Sequence, residues 1–206
     1  MNDWSNELGF ATRIAAEAGE VTLRWFRRGP NDGPAVDRKA DGSPVTIADR
    51  DAERLLRDRI ADAFPEDGIL GEEWGESPGT SGRRWILDPI DGTKSFIHGV
   101  PLYGVMVALE ADGDAVLGVL RFPPLQETVA AASGMGCTWN DKPARVSDVK
   151  PLERSLVLTS GDARFPQSPT SPTSLSPDRG LAGRVNGLAR LARKAGIVRT
   201  WGDCYG

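Results

Sequence analysis

A chain of 206 residues with 39% hydrophobic and 26% charged side chains can bury a sizeable core, as one large domain or two modest ones. Its formal net charge of −4 argues against a nucleic-acid partner, since a phosphate backbone calls for a basic face, but a bound metal can reverse the sign locally and admit a small anionic substrate. Cys137 and Cys204 are far apart, no apolar stretch reaches membrane-spanning length, and the N-terminus has no signal-peptide pattern, so the expectation is a reduced, soluble, cytoplasmic chain.

Residues 3–28 predict an amphipathic helix. Trp4, Leu8, Ala11, Ala15, Ala18 and Trp25 recur at three- and four-residue spacing, and Gly29-Pro30 ends the run. A polar loop follows as far as Pro44. A second helix is predicted over 47–64, with Thr46 as N-cap, an apolar face of Ala52, Leu56, Ile60 and Ala63, and Pro65 as its stop. The pattern then changes to strands. "GIL" precedes Gly71-Glu72-Glu73, and "RRWIL" runs into Asp88. "GVMVALE" and "AVLGVLRF" flank the hairpin signal at 111–114, and "ETVAAAS" and "CTWN" flank Gly134-Met135-Gly136. The fold class expected is α/β in layers: for residues 1–150, a helix pair on a largely antiparallel sheet.

A smaller unit is expected over 151–206. It would hold a strand at "RSLVLTS", a Ser/Pro-rich loop at 165–178, a helix at 181–195 and a strand at "IVRTW". About 55 residues are few for an independent core, so this unit reads as incomplete. The six tryptophans read mostly as core or helix-face residues, Cys204 as a small buried side chain, and His98 as a structural or surface residue.

Four acids stand next to predicted element ends: Asp49, Glu72, Asp88 and Asp91. If the strands before Glu72 and Asp88 are neighbours, their carboxylates converge, and converging anions need a shared proton or a cation. An all-oxygen set suits a hard cation such as Mg²⁺, whereas a single histidine and no paired cysteines disfavour zinc. A helix starting at Lys94 would let the backbone of Gly92-Thr93 hold a phosphate oxygen, which points to metal-assisted phosphoester hydrolysis. On spacing alone, Asp88–Thr93 reads equally well as a capped turn. Glu72-Glu73 reads as a solvated loop pair, and Asp49 as a residue that complements a helix dipole.

The motifs add to this. "DPIDGTKSF", "GEEWG" at 71–75 and "KADGSPVTIAD" at 39–49 together resemble the signature of the inositol monophosphatase family, from about residue 5 to the C-terminus. The resemblance implies that Glu72, Asp88, the carbonyl of Ile90 and Asp91 bind Mg²⁺. It implies that Thr93, with Asp49 behind it, orients and deprotonates an attacking water, and that Gly92 and Thr93 hold the phosphate. The family mechanism is direct attack by metal-activated water, with a second Mg²⁺ on the leaving alkoxide. The closing "TWGDCYG" resembles the element of the family's histidinol-phosphate phosphatase branch. Asp203 would then pair with a substrate amine, an interaction that gives little to a neutral polyol. Its other reading is a turn residue before a helix.

The substrate class implied is a small phosphate monoester: histidinol phosphate first, with inositol phosphate, fructose bisphosphate or a nucleotide 3′-phosphate as alternatives. A homodimer enters only by the resemblance. The family pattern continues with a further Asp in a Trp-Asp-x-Ala-Ala element, which these 206 residues do not include. The chain therefore reads as C-terminally truncated or as a fragment, with weak second-metal binding, little turnover and an exposed sheet edge expected. A non-catalytic metal- or phosphate-binding module is the reading of another class.

Overall fold

In the computed structural model, residues 3–27, 36–38, 44–159, 194 and 197–200 are described. Helix α1 covers Ser5–Leu23, and the short strands β1 (Val36–Arg38) and β2 (Pro44–Thr46) form an antiparallel ribbon. Helix α2 follows over Ile47–Ala63. Then come β3 (Gly68–Gly71), β4 (Gly75–Ser77), β5 (Arg83–Asp91), the short helix α3 (Thr93–Ile97), β6 (Gly104–Ala111), β7 (Asp114–Phe122), β8 (Glu127–Ala132), β9 (Gly136–Trp139) and β10 (Lys142–Pro143). One compact unit reaches as far as Arg145, and a second begins at Val146. In the second, β11 (Leu156–Thr159) and β12 (Ile197–Thr200) pair in parallel. The helix predicted over 181–195 falls outside the described residues except at 194. The loop at 165–178, Gly29-Pro30, Asp203 and Cys204 lie outside them as well.

The eight strands β3 to β10 form one sheet in the order β10-β9-β8-β7-β6-β5-β3-β4. It is mixed rather than purely antiparallel. β4 folds back along the outer side of β3, so β5 must re-enter on the other side of β3, running parallel to it. The β6–β7 hairpin turns on Asp112 (φ 53°) and Gly113 (φ 86°), the two left-handed residues that a type I′ turn requires.

Both helices rest on the sheet. Ala11, Ile14, Ala15 and Ala18 of α1 and Ala52, Leu56 and Ile60 of α2 meet Trp85, Leu87, Val105, Val107, Leu109 and Val119 in the main core. Thr46 caps α2 by accepting from the Ala48 N–H at 3.1 Å, while the Asp49 side chain accepts from the Thr46 N–H, a capping box. Ala63, expected on the apolar face, is exposed at the last position of α2.

Helix α1 ends at Leu23, five residues short of the prediction. The chain leaves the helix through turns at Arg24–Arg27, with Arg27 left-handed at φ 55°. This carries Phe26 to a second core cluster, 5.8 Å from Phe96 and 5.2 Å from Tyr103 between ring centroids. Trp4 and Trp85 are buried, and Trp74 and Trp139, each 52% exposed, are the exceptions to an expectation that placed most of the tryptophans in the core or on a helix face. His98 is exposed at the C-cap of α3. No helix among the described residues is long and apolar enough to cross a membrane.

Candidate active site

The parallel pairing of β3 and β5 sets Gly71 opposite Leu87. The next residues along, Glu72 and Asp88, are therefore neighbours at the end of the ladder, and the Glu72 N–H donates to the Leu87 carbonyl at 3.2 Å. Their side chains share a hydrogen bond. Asp88 is half-buried and Glu72 exposed, so the pair opens to solvent.

Asp88 does not end its strand, as the sequence reading expected; β5 runs on to Asp91. Asp88 lies opposite Met106 and Asp91 opposite Gly104, three steps on β5 against two on β6. In a regular strand, residues three apart point to opposite faces. The extra residue forms a bulge that returns Asp91 to the face of Asp88, close enough for its charge to act on Asp88. Pro89 and Ile90 fill the bulge and are buried. Asp91 is itself buried, at 5% exposure.

Burial first, then the charge and hydrogen bond of Glu72 and the charge of Asp91, push Asp88 up to about 8. The folded protein thus keeps a proton that the unfolded chain releases above about pH 4. Stability tied to that proton is complete at low pH and is lost as pH rises through about 8. Without metal, the melting temperature should fall between about pH 4 and pH 8, for a loss on the order of a few kcal/mol. A thermal-melt series in chelator reads this directly, and a flat profile across that window would contradict the shared proton.

Next to the acids, Gly92 takes φ 88° as the N-cap of α3, a left-handed position that glycine occupies without strain. Helix α3 begins at Thr93, one residue before the Lys94 start expected. The Thr93 hydroxyl donates to the Ile90 carbonyl at 3.1 Å, and the Ile90 N–H donates to Asp88 Oδ1 at 3.2 Å. Asp49 is 2% exposed, and its Oδ2 accepts from the Thr46 N–H at 2.8 Å and the Thr46 hydroxyl at 2.6 Å. The second core cluster ties these segments together: it joins Ala48, next to Asp49, to Ile90 and Phe96. The described structure thus groups Glu72, Asp88 and Asp91, places Ile90, Gly92 and Thr93 beside them, and sets Asp49 in a cap one core cluster away.

The donors fit a hard cation. Among the described residues no three His, Cys, Asp or Glu side chains are already arranged to hold a metal ion. Mg²⁺, however, ordinarily takes one or two carboxylates and keeps several waters. The Glu72–Asp88 pair, two carboxylates side by side at the end of the ladder, provides that many.

The sequence pattern of the inositol monophosphatase family matches residues 3–181. The chain belongs to the inositol monophosphatase family. A histidinol-phosphatase of Chlorobaculum parvum is 44% identical over 97% of this chain and 71% of its own length. A histidinol-phosphatase of Mycobacterium tuberculosis is 38% identical over 96% and 72%. An inositol-1-monophosphatase of Rhizobium meliloti is 42% identical over 74% of this chain and 57% of its own length. Among solved structures, the extragenic suppressor protein suhB from Bartonella henselae superposes with a TM-score of 0.80 at 29% identity, over 97% of this chain and 71% of that one.

One site-bearing residue of this inositol monophosphatase family chain escaped the sequence reading. Glu53 is wholly buried on α2 and accepts from the Glu73 N–H at 2.7 Å and the Trp74 N–H at 3.2 Å. A signal was present. Glu53 stands three residues before Leu56 and seven before Ile60, inside the apolar stripe of α2, where a charged side chain needs a partner.

Proposed function

We propose that the protein is a Mg²⁺-dependent phosphomonoesterase that hydrolyses L-histidinol phosphate to L-histidinol and phosphate. The observation that carries this reading is the Glu72–Asp88 contact, with Asp91 bulged onto the same face. A carboxylate pair with a third acid on the same face, beside a glycine-led turn, suits a site that takes up a cation and a phosphate together.

In this reading Glu72, Asp88, Asp91 and the Ile90 carbonyl hold Mg²⁺, which when bound supplies Lewis-acid polarisation of phosphoryl oxygens and a lowered pKa of water. Gly92 and Thr93 offer backbone N–H groups to the phosphate. The Thr93 hydroxyl gives its proton to the Ile90 carbonyl, so its lone pairs remain to accept from a water and orient it. Asp49, which accepts from Thr46, enters as the proton acceptor behind Thr93. Asp203 provides the counter-charge for the substrate amine. The enzyme is taken to be cytoplasmic, and a homodimer by likeness to its family.

The choice of substrate is supported by the near-complete coverage of this chain by histidinol-phosphatases. The 42% identical inositol-1-monophosphatase favours a second reading, hydrolysis of inositol phosphate. Phosphate release by the protein, measured side by side, separates them. Histidinol phosphate should be cleaved faster than inositol 1-phosphate, and the reverse order would overturn the substrate assignment. Mg²⁺-dependent stabilisation with no phosphate released from either ester would instead mark a non-catalytic binder.

A further inference from the structure

We propose that Glu53 is a positioning residue, which fixes the turn carrying Glu72 so that Glu72 stays against Asp88. The inference rests on the reading of Glu72 as a cation ligand. Glu72 is exposed, so its place depends on the backbone that carries it. That backbone is held on one side by the bond from the Glu72 N–H to the Leu87 carbonyl. On the other side it is held by Glu53, whose Oε2 accepts from the Glu73 N–H and whose Oε1 accepts from the Trp74 N–H.

The fit is close. A methyl placed on Gly71 would lie 1.9 Å from Glu53 Oε1 and 2.7 Å from Arg57 Nη2, so the Glu53 carboxylate occupies the space a side chain at 71 would need. Arg57, one turn along α2, donates to Glu53 Oε1 at 2.8 Å and also reaches Ser77 Oγ at 3.1 Å and the Gly75 carbonyl. The pair therefore ties α2 to the β3–β4 turn and to β4 with charge-assisted bonds, and at the wholly buried Glu53 carboxylate the loss of an acceptor leaves the backbone donors unsatisfied. The bonds of this pair go to the turn and to β4, so it acts through the placement of Glu72.

Glu53→Gln keeps the size of the side chain but turns one acceptor into a donor facing backbone N–H groups. In metal-free protein, amide exchange at Glu73 and Trp74 should quicken at least tenfold over wild type, on the scale of a lost local bond. Mg²⁺ affinity, read by calorimetry, should weaken roughly 10–100-fold, the range for loss of a residue that orients a metal ligand. Val119→Ala, a core substitution on β7, serves as the control for general destabilisation and should leave Mg²⁺ affinity unchanged. Gly71→Ala attacks the contact from the other side and should weaken Mg²⁺ with Glu53 intact, which keeps the question open to test if Glu53→Gln folds poorly. Unchanged amide exchange overturns the inference. Quickened exchange with wild-type Mg²⁺ affinity, or an equal loss of affinity in Val119→Ala, overturns it too, by leaving Glu53 a merely structural role. A wild-type protein that takes up no Mg²⁺ overturns the functional reading instead, and amide exchange then still decides whether Glu53 holds the turn.

Discussion

Asp88→Asn is expected to abolish Mg²⁺-dependent stabilisation and phosphate release while the fold persists. Asp88 sits where the end of β3, the bulge of β5 and the turn into α3 meet, within reach of both Glu72 and Asp91. Removing its charge takes away a ligand outright, so the loss should exceed the roughly 10–100-fold cost of losing an outer partner. With Mg²⁺ at about 100 times its dissociation constant, wild type gains about 2.7 kcal/mol of stability, and the variant should gain none. In chelator the sign reverses. An amide can donate to Glu72 without borrowing a proton, so near pH 8 the variant should melt higher than wild type. A variant that retains its Mg²⁺ response and near-normal turnover would remove Asp88 from the site.

Trp85→Ala, on the same strand, should act on the fold instead. Trp85 is fully buried, its ring centroid lying 5.6 Å from Phe10 of α1 and 5.4 Å from Phe64 beyond α2. Its Nε1–H donates at 2.9 Å to Asp67 Oδ2, a carboxylate that also accepts from Ser81 and Arg83. Truncation opens a cavity where both helices meet the sheet and removes a donor from a buried acid. Cost estimates for such a change are about 3–5 kcal/mol. Urea unfolding checks it, and a change under about 1 kcal/mol would mean the core is not built around this ring. The alternation along β5 separates the two effects: Trp85 and Leu87 face the helices, and Asp88 faces away.

Local signals were legible where local chemistry decides structure. Thr46 and Pro65 punctuate α2, Asp112-Gly113 makes the β6–β7 turn, and the apolar run 85–87 forms the centre of β5. Pairing was less legible, because it depends on residues far apart in sequence. Pro89 looks like the end of a strand, yet it sits inside a bulge that only the register against Met106 and Gly104 reveals. The parallel placement of β3 beside β5, which brings Glu72 to Asp88, follows from the excursion of β4 and from no local motif. Glu53 was passed over because an acid on a helix ordinarily faces water. Trp74 and Trp139 stand outside the core because large apolar residues are often exposed.

The central claim is that Glu72, Asp88 and Asp91 share a divalent cation. Crystals soaked in Mn²⁺, a hard oxygen-seeking substitute for Mg²⁺ that scatters anomalously, test it most directly. The account predicts an anomalous peak at bonding distance from the Asp88 and Glu72 carboxylates, with Asp91 or the Ile90 carbonyl completing the set. A peak elsewhere, or none at this turn, would contradict it.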